Sequence, residues 1–223
     1  IEKVQEALIH FNGNPGRSGY KKAVDIDREI YNVRLKIAEF FNIKNPLQIA
    51  FTANASESLN FAIKGTGLEN CHVISSVLEH NSVLRPLNYL RDEKNISLSF
   101  VSPHKNSEDF LKEIKSLIKE NTKAVILNHI SNVTGYIADI EAVGKLCREK
   151  NILFIVDVSQ SAGFLKIDAE KFCIDILCFT GHKSLFGIQG TGGIYVREGI
   201  LLNPLLEGGT GSFSKLPRQP KRM

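Results

Sequence analysis

Seven short apolar runs, at 47–51, 72–75, 96–101, 124–127, 152–156, 174–179 and 193–196, are interleaved with segments of helical periodicity, and this alternation limits the folds open to the chain. The helical segments are 1–10, 24–41, one opening within 52–61 and ending near Gly65, then 81–91, 107–119 and 140–150. Strands that are apolar almost throughout must be covered on both faces, because a strand with one wet face alternates polar and apolar residues. The expected fold is therefore α/β: a mostly parallel sheet sandwiched by helices. With 223 residues the chain is long enough to bury a substantial core.

Open parallel sheets bind ligands beyond the carboxyl ends of their strands. The chemically versatile residues fall there: Ala55 and Ser56, His80, Asn132, Asp157 and Lys183 all follow apolar runs. Lys183 closes the sequence Phe179-Thr180-Gly181-His182-Lys183, and Asp157 ends the run 152–156. A lysine amine can bond covalently to an aldehyde, and a carboxylate can keep a pyridine nitrogen protonated so that the ring accepts electrons. Either residue alone reads as a solvated loop charge. Together they point to pyridoxal phosphate (PLP) as the cofactor.

The other candidates follow from what such a cofactor needs. Ala55 and Ser56 open a helix that Asn54 or Thr52 is able to cap. The free N–H groups of a helix start attract an anion such as a phosphate, although a plain N-cap explains the same residues. His80 carries a flat imidazole able to stack on a pyridine ring, a side-chain type that can also move protons. The Asn132 and Gln160 amides can hydrogen-bond a ring oxygen, while Thr180 and His182 can reach a phosphate. The run Gly187-Ile188-Gln189-Gly190-Thr191-Gly192-Gly193 precedes a strand instead of opening a helix, so it fails the test for dinucleotide binding. It reads as a tight turn passing close to the lysine or to a second subunit.

Charge and cysteine usage narrow the partners. Of 28 Lys and Arg, four (Lys215, Arg218, Lys221 and Arg222) lie in the tail, leaving 24 against 24 Asp and Glu. The excess belongs to the tail, so no nucleic-acid face is expected. No apolar stretch approaches the roughly 18 residues that span a bilayer, and 1–10 alternates apolar and charged residues as an amphipathic helix does, so neither membrane insertion nor a signal peptide is expected. Cys71, Cys147, Cys173 and Cys178 form no C-x-x-C pair and have no histidine at ligand spacing. Reduced thiols, a cytoplasmic location and no metal are the expectation.

Five ordered motifs now stand together: Asn54-Ala55-Ser56-Glu57, Glu79-His80-Asn81, Asn128-His129-Ile130-Ser131-Asn132, Val156-Asp157-Val158-Ser159-Gln160-Ser161-Ala162-Gly163, and Thr180-Gly181-His182-Lys183. In this order they resemble the class V aminotransferase superfamily, and within it the cysteine desulfurase and selenocysteine lyase branch, over nearly the whole chain to about Ser214. The resemblance implies the type I PLP-dependent transferase fold and a homodimer with sites at the subunit boundary. It also implies that Lys183 holds PLP and shuttles a proton, Asp157 pairs with the ring nitrogen, and His80 stacks on the ring. By the same carry-over, Gln160 and Asn132 contact the ring hydroxyl, and Ala55, Ser56, Thr180 and His182 bind the phosphate. Ser56 stands where the family has threonine and Thr180 where it has serine; both keep a hydroxyl.

The reaction implied is removal of sulfur from L-cysteine to give alanine and an enzyme persulfide, with a sulfur-acceptor protein as a further partner. A transaminase or selenocysteine lyase reaction, or a catalytically silent remnant, are the alternatives. Residues 1–11 are expected to form a helix on the small-domain side, 12–214 the PLP-binding large domain, and 215–223 a disordered basic tail. Family members continue into a smaller domain bearing the persulfide-forming cysteine and a carboxylate-binding arginine. The chain is therefore expected to be a truncated, PLP-competent core that turns over cysteine poorly alone. Arg17, in the glycine-rich stretch 12–19, is placed near the site mouth.

Overall fold

A computed structural model describes residues 2–10, 15 and 20–208; Arg17, most of the stretch 12–19 and the tail 215–223 lie outside them. Its sheet comprises β1 (Ile49–Thr52), β2 (His72–Ser76), β3 (Ser97–Val101), β4 (Thr122–Asn128), β5 (Leu153–Asp157), β6 (Ile176–Thr180) and β7 (Gly192–Val196). Their order is β1-β7-β6-β5-β4-β2-β3. β7 is antiparallel to both its neighbours and all other pairs are parallel. The expected mostly parallel sheet is present. The run at 47–51 is split: Pro46–Gln48 makes a 3-10 turn, with Asn45 accepting from the Leu47 N–H, before β1 begins.

Among the described residues, six helices connect or flank these strands: α1 (Glu2–His10), α2 (Lys21–Phe40), α3 (Ala55–Gly65), α4 (Asn81–Lys94), α5 (Ser107–Leu117) and α6 (Ile140–Glu149). Alternate residues of the central strands enter two different cores. Val125, Leu127, Phe154, Val156, Leu177 and Phe179 pack with α5, α6 and the end of α2. Ala124, Ile126, Ile155, Ile176 and Cys178 pack under α3 and α4. Both faces are dry, which is why these strands read as continuous apolar runs.

One buried acid ties the sheet to its edge. Asp175 accepts from the Phe154 N–H at 2.9 Å, from Arg197 Nε at 2.6 Å and from Arg148 at 3.2 Å. Its side chain is 5% exposed while the two arginines reach solvent. Asp175→Ala strands the buried Phe154 N–H, and urea unfolding should show a loss of about 2 kcal/mol.

Candidate active site

The site is built at the carboxyl edge of the sheet, starting with the first turn of α3. Asn54 caps this helix through Oδ1, which accepts from the Glu57 N–H at 3.0 Å. Glu57 reaches back to accept from the Ala53 N–H at 2.6 Å. Such reciprocal capping fixes the first turn, whose remaining N–H groups favour an anion. Gly192 at the head of β7 crosses directly over the cap, and a Cβ there would lie 2.8 Å from Asn54 backbone carbons. Only glycine allows that approach.

The second wall comes from α4. His80 is its N-cap, with Nδ1 accepting from the Ser82 N–H at 3.1 Å. This bond requires Nδ1 to be the unprotonated ring nitrogen. Ser82 Oγ contacts His80 Nδ1 at 2.9 Å and Ser56 Oγ at 2.6 Å, so one hydroxyl joins the two helix starts.

Asp157 ends β5, in register with Asn128 on β4 and Cys178 on β6. It is 6% exposed. Oδ1 accepts from the Ser159 N–H at 2.9 Å and from Ser159 Oγ. Oδ2 has no hydrogen-bond partner among the described residues. Beyond β6, Thr180 Oγ1 donates to the Thr191 carbonyl at 3.3 Å and lies 2.9 Å from His182 Nδ1. Gly181 donates to Thr191 O at 2.8 Å and Gly187 to Gly181 O at 2.7 Å, so the glycine-rich segment folds against the lysine loop as a tight turn. Lys183 is half-buried, and its amine has neither ion pair nor hydrogen bond among the described residues.

All nine candidates, Asn132 and Gln160 included, border one cavity of about 240 Å³. An anion-attracting helix start, a carboxylate with one free oxygen and an unpartnered amine share its walls. That donor set suits a small aromatic ligand carrying an anionic group, an aldehyde and a basic ring nitrogen.

Ser82, Asn128 and Ser159 also border the cavity, although sequence reasoning gave them no role. The first and last are generic residues of a helix start and a strand end, so nothing in their type marks them. None of the four cysteines reaches the cavity. Cys71, Cys147 and Cys178 are buried and Cys173 is half-buried. Burial pushes the first three thiols up, away from the nucleophilic thiolate.

His129, just past β4, is 6% exposed and its Nδ1 has no partner among the described residues. Burial pushes its imidazole down to about 4. On acidification the unfolded chain takes up this proton first, so stability present above about pH 6.5 is lost as pH falls toward 4. Between pH 7 and 4, the unfolding free energy of wild type should fall relative to His129→Leu by on the order of 3 kcal/mol.

Comparisons with known proteins place the chain in a family. A family model described as aminotransferase class-V matches residues 1–217. A cysteine desulfurase IscS of Plasmodium falciparum is 33% identical over 94% of this chain and 39% of its own length. The one from Vibrio campbellii is 36% identical over 83% of this chain and 46% of its own. Among solved structures, an apo cysteine desulfurase from Thermococcus onnurineus superposes with a TM-score of 0.86 at 29% identity, covering 99% of this chain and 57% of that one. SspA in complex with cysteine gives 0.83 at 30% identity, covering 94% and 62%. The chain spans about half the length of the curated relatives it matches.

Proposed function

Because the chain belongs to the class-V aminotransferase family, whose cofactor is pyridoxal phosphate, we propose that it forms the cofactor-binding core of an enzyme that removes sulfur from L-cysteine. One observation carries this reading: the unpartnered Lys183 amine and the free oxygen of Asp157 open onto the same capped cavity. The solved relative titled as a complex with cysteine supports the substrate.

When bound, PLP supplies an electron sink that stabilises negative charge at the substrate α-carbon. Lys183 would hold the cofactor through Nζ and, once displaced by substrate, move a proton at that carbon. Asp157 would hold a proton at the ring nitrogen; Ser159 fixes Oδ1 and leaves Oδ2 for that task. His80 would stack on the ring, its plane set by the bond from the Ser82 N–H. Asn132 and Gln160 would orient the ring oxygen. Ala55 and Ser56 at the start of α3, with Thr180 and His182, would take the phosphate.

With no cysteine at the cavity, the thiol that accepts sulfur is assigned to a part of the protein beyond these residues, or to an acceptor protein. Residues 12–214 are assigned as the cofactor-binding unit, with α1 facing a smaller companion domain. Exposed Phe164, Phe186 and Ile188, on the loops beside Lys183, support a homodimer whose partner covers this rim. The four unbonded thiols support a cytoplasmic setting.

Borohydride reduction after adding PLP, followed by peptide mapping, tests the core of the proposal. Label on Lys183 is expected, with alanine released from L-cysteine by the whole protein. Label scattered over surface lysines would remove the cofactor site, whereas label on Lys183 without alanine release would remove only the substrate.

A further inference from the structure

Glu79 is the most unusual ionisable group among the described residues. It lies between the ends of β2 and β4, 8% exposed. Oε1 accepts from Ser76 Oγ at 2.6 Å and from the Asn128 N–H at 2.9 Å, while Oε2 is buried with no partner among the described residues. Asn128 in turn donates through Nδ2 to the Leu78 carbonyl at 2.6 Å. The segment 78–79 is thus clamped at both residues onto the end of β4, and the next residue is His80.

From this geometry we propose that Glu79 is a positioning residue. As an uncharged carboxylic acid, it fixes His80 at the cavity wall and adds no second charge beside Asp157. The inference rests on the reading of His80 and Asp157 as site residues, but its geometry needs no cofactor.

Charge decides why the acid is uncharged. An ionised Glu79 would be a buried anion with one oxygen unsatisfied. Its two donors, Ser76 Oγ and the Asn128 N–H, are neutral, and Asp157, at the end of β5 on the far side of β4, bears on it with a charge of like sign. Burial pushes the carboxyl up to about 8, with Asp157 adding to the effect. The protonated acid keeps Oε1 as acceptor, so both clamp bonds survive. Because the folded-state value lies above the unfolded one, the stability tied to this proton is fully present below about pH 4.5 and is lost as pH rises through 8.

Glu79→Gln isolates the claim, since the amide oxygen can take both hydrogen bonds and no proton can leave. In wild type, Tm should fall relative to Glu79→Gln between pH 5 and 8 and level off above, while the His80 ring resonance gains an inflection near 8 that the variant lacks. Glu79→Ala should shift the His80 resonance at every pH. A purely packing role would move Tm equally at all pH values and leave no such inflection, and that result overturns the proposal. If Glu79→Gln does not fold, the side-chain carboxyl carbon of Glu79 in wild type still decides: a midpoint near 8 supports the inference and one below 5 refutes it. These readouts come from the cofactor-free chain, so they stand or fall apart from cysteine desulfuration.

Discussion

Asp157→Asn should keep the pocket and lose the reaction. The asparagine oxygen can still accept both bonds from Ser159, so the side chain stays in place. What changes is the free position, where an N–H donor replaces a charged acceptor. Under the proposed reading the ring nitrogen then loses its proton, and turnover of L-cysteine by the whole protein should drop by about 10²- to 10³-fold, the usual scale for removing one preorganised charge partner. Borohydride should still fix the cofactor on Lys183, because the amine is untouched. Retention of full rate in this variant would refute the assignment of Asp157. Loss of both rate and labelling would point instead to a collapsed pocket.

Gly163→Ala should damage the site from behind. Gly163 has φ of +92°, and a Cβ there would sit 2.2 Å from the Ser184 carbonyl oxygen. Backbone stands on both sides of the clash, so no rotamer change relieves it, and the left-handed conformation adds its own strain. The segment 183–185 must move, and Lys183 moves with it. We expect at least tenfold weaker PLP uptake, on the order of 1.4 kcal/mol, with the far-UV circular dichroism of the sheet retained. Absorbance titration with PLP measures the first and spectroscopy the second. Unchanged uptake would show that the contact is not needed to place the lysine.

The cofactor-facing residues mark what was legible from residue order. Asp157 and Lys183 stand out because each ends or follows an apolar run, and a sheet covered on both faces leaves its carboxyl edge as the place for polar chemistry. The central strands were readable for the same reason: Val125 and Ile126 face opposite cores, yet both must be apolar. The reversal of β7 was not legible, since Gly192–Val196 carries no signal of direction and pairs with β1 far away in sequence. Glu79 carries no expected role in its motif, because a glutamate before a histidine in a polar turn reads as solvated. One of its two donors is the Asn128 N–H, 49 positions away. The end of α4 was also missed: the helix runs past Pro86 to Lys94, where Asn95 closes it in the left-handed conformation.

The reversed strand has a mechanical consequence. β6 ends and β7 begins at the same edge, with Thr180 opposite Gly192. The segment carrying Lys183 is therefore not a through-going connection but the closed end of a hairpin, anchored at both feet by the same ladder. Zipping those two strands together closes the loop, so the backbone that bears the amine is confined by the sheet itself. A substitution that frays this pairing would release the lysine even if every residue lining the cavity stayed intact.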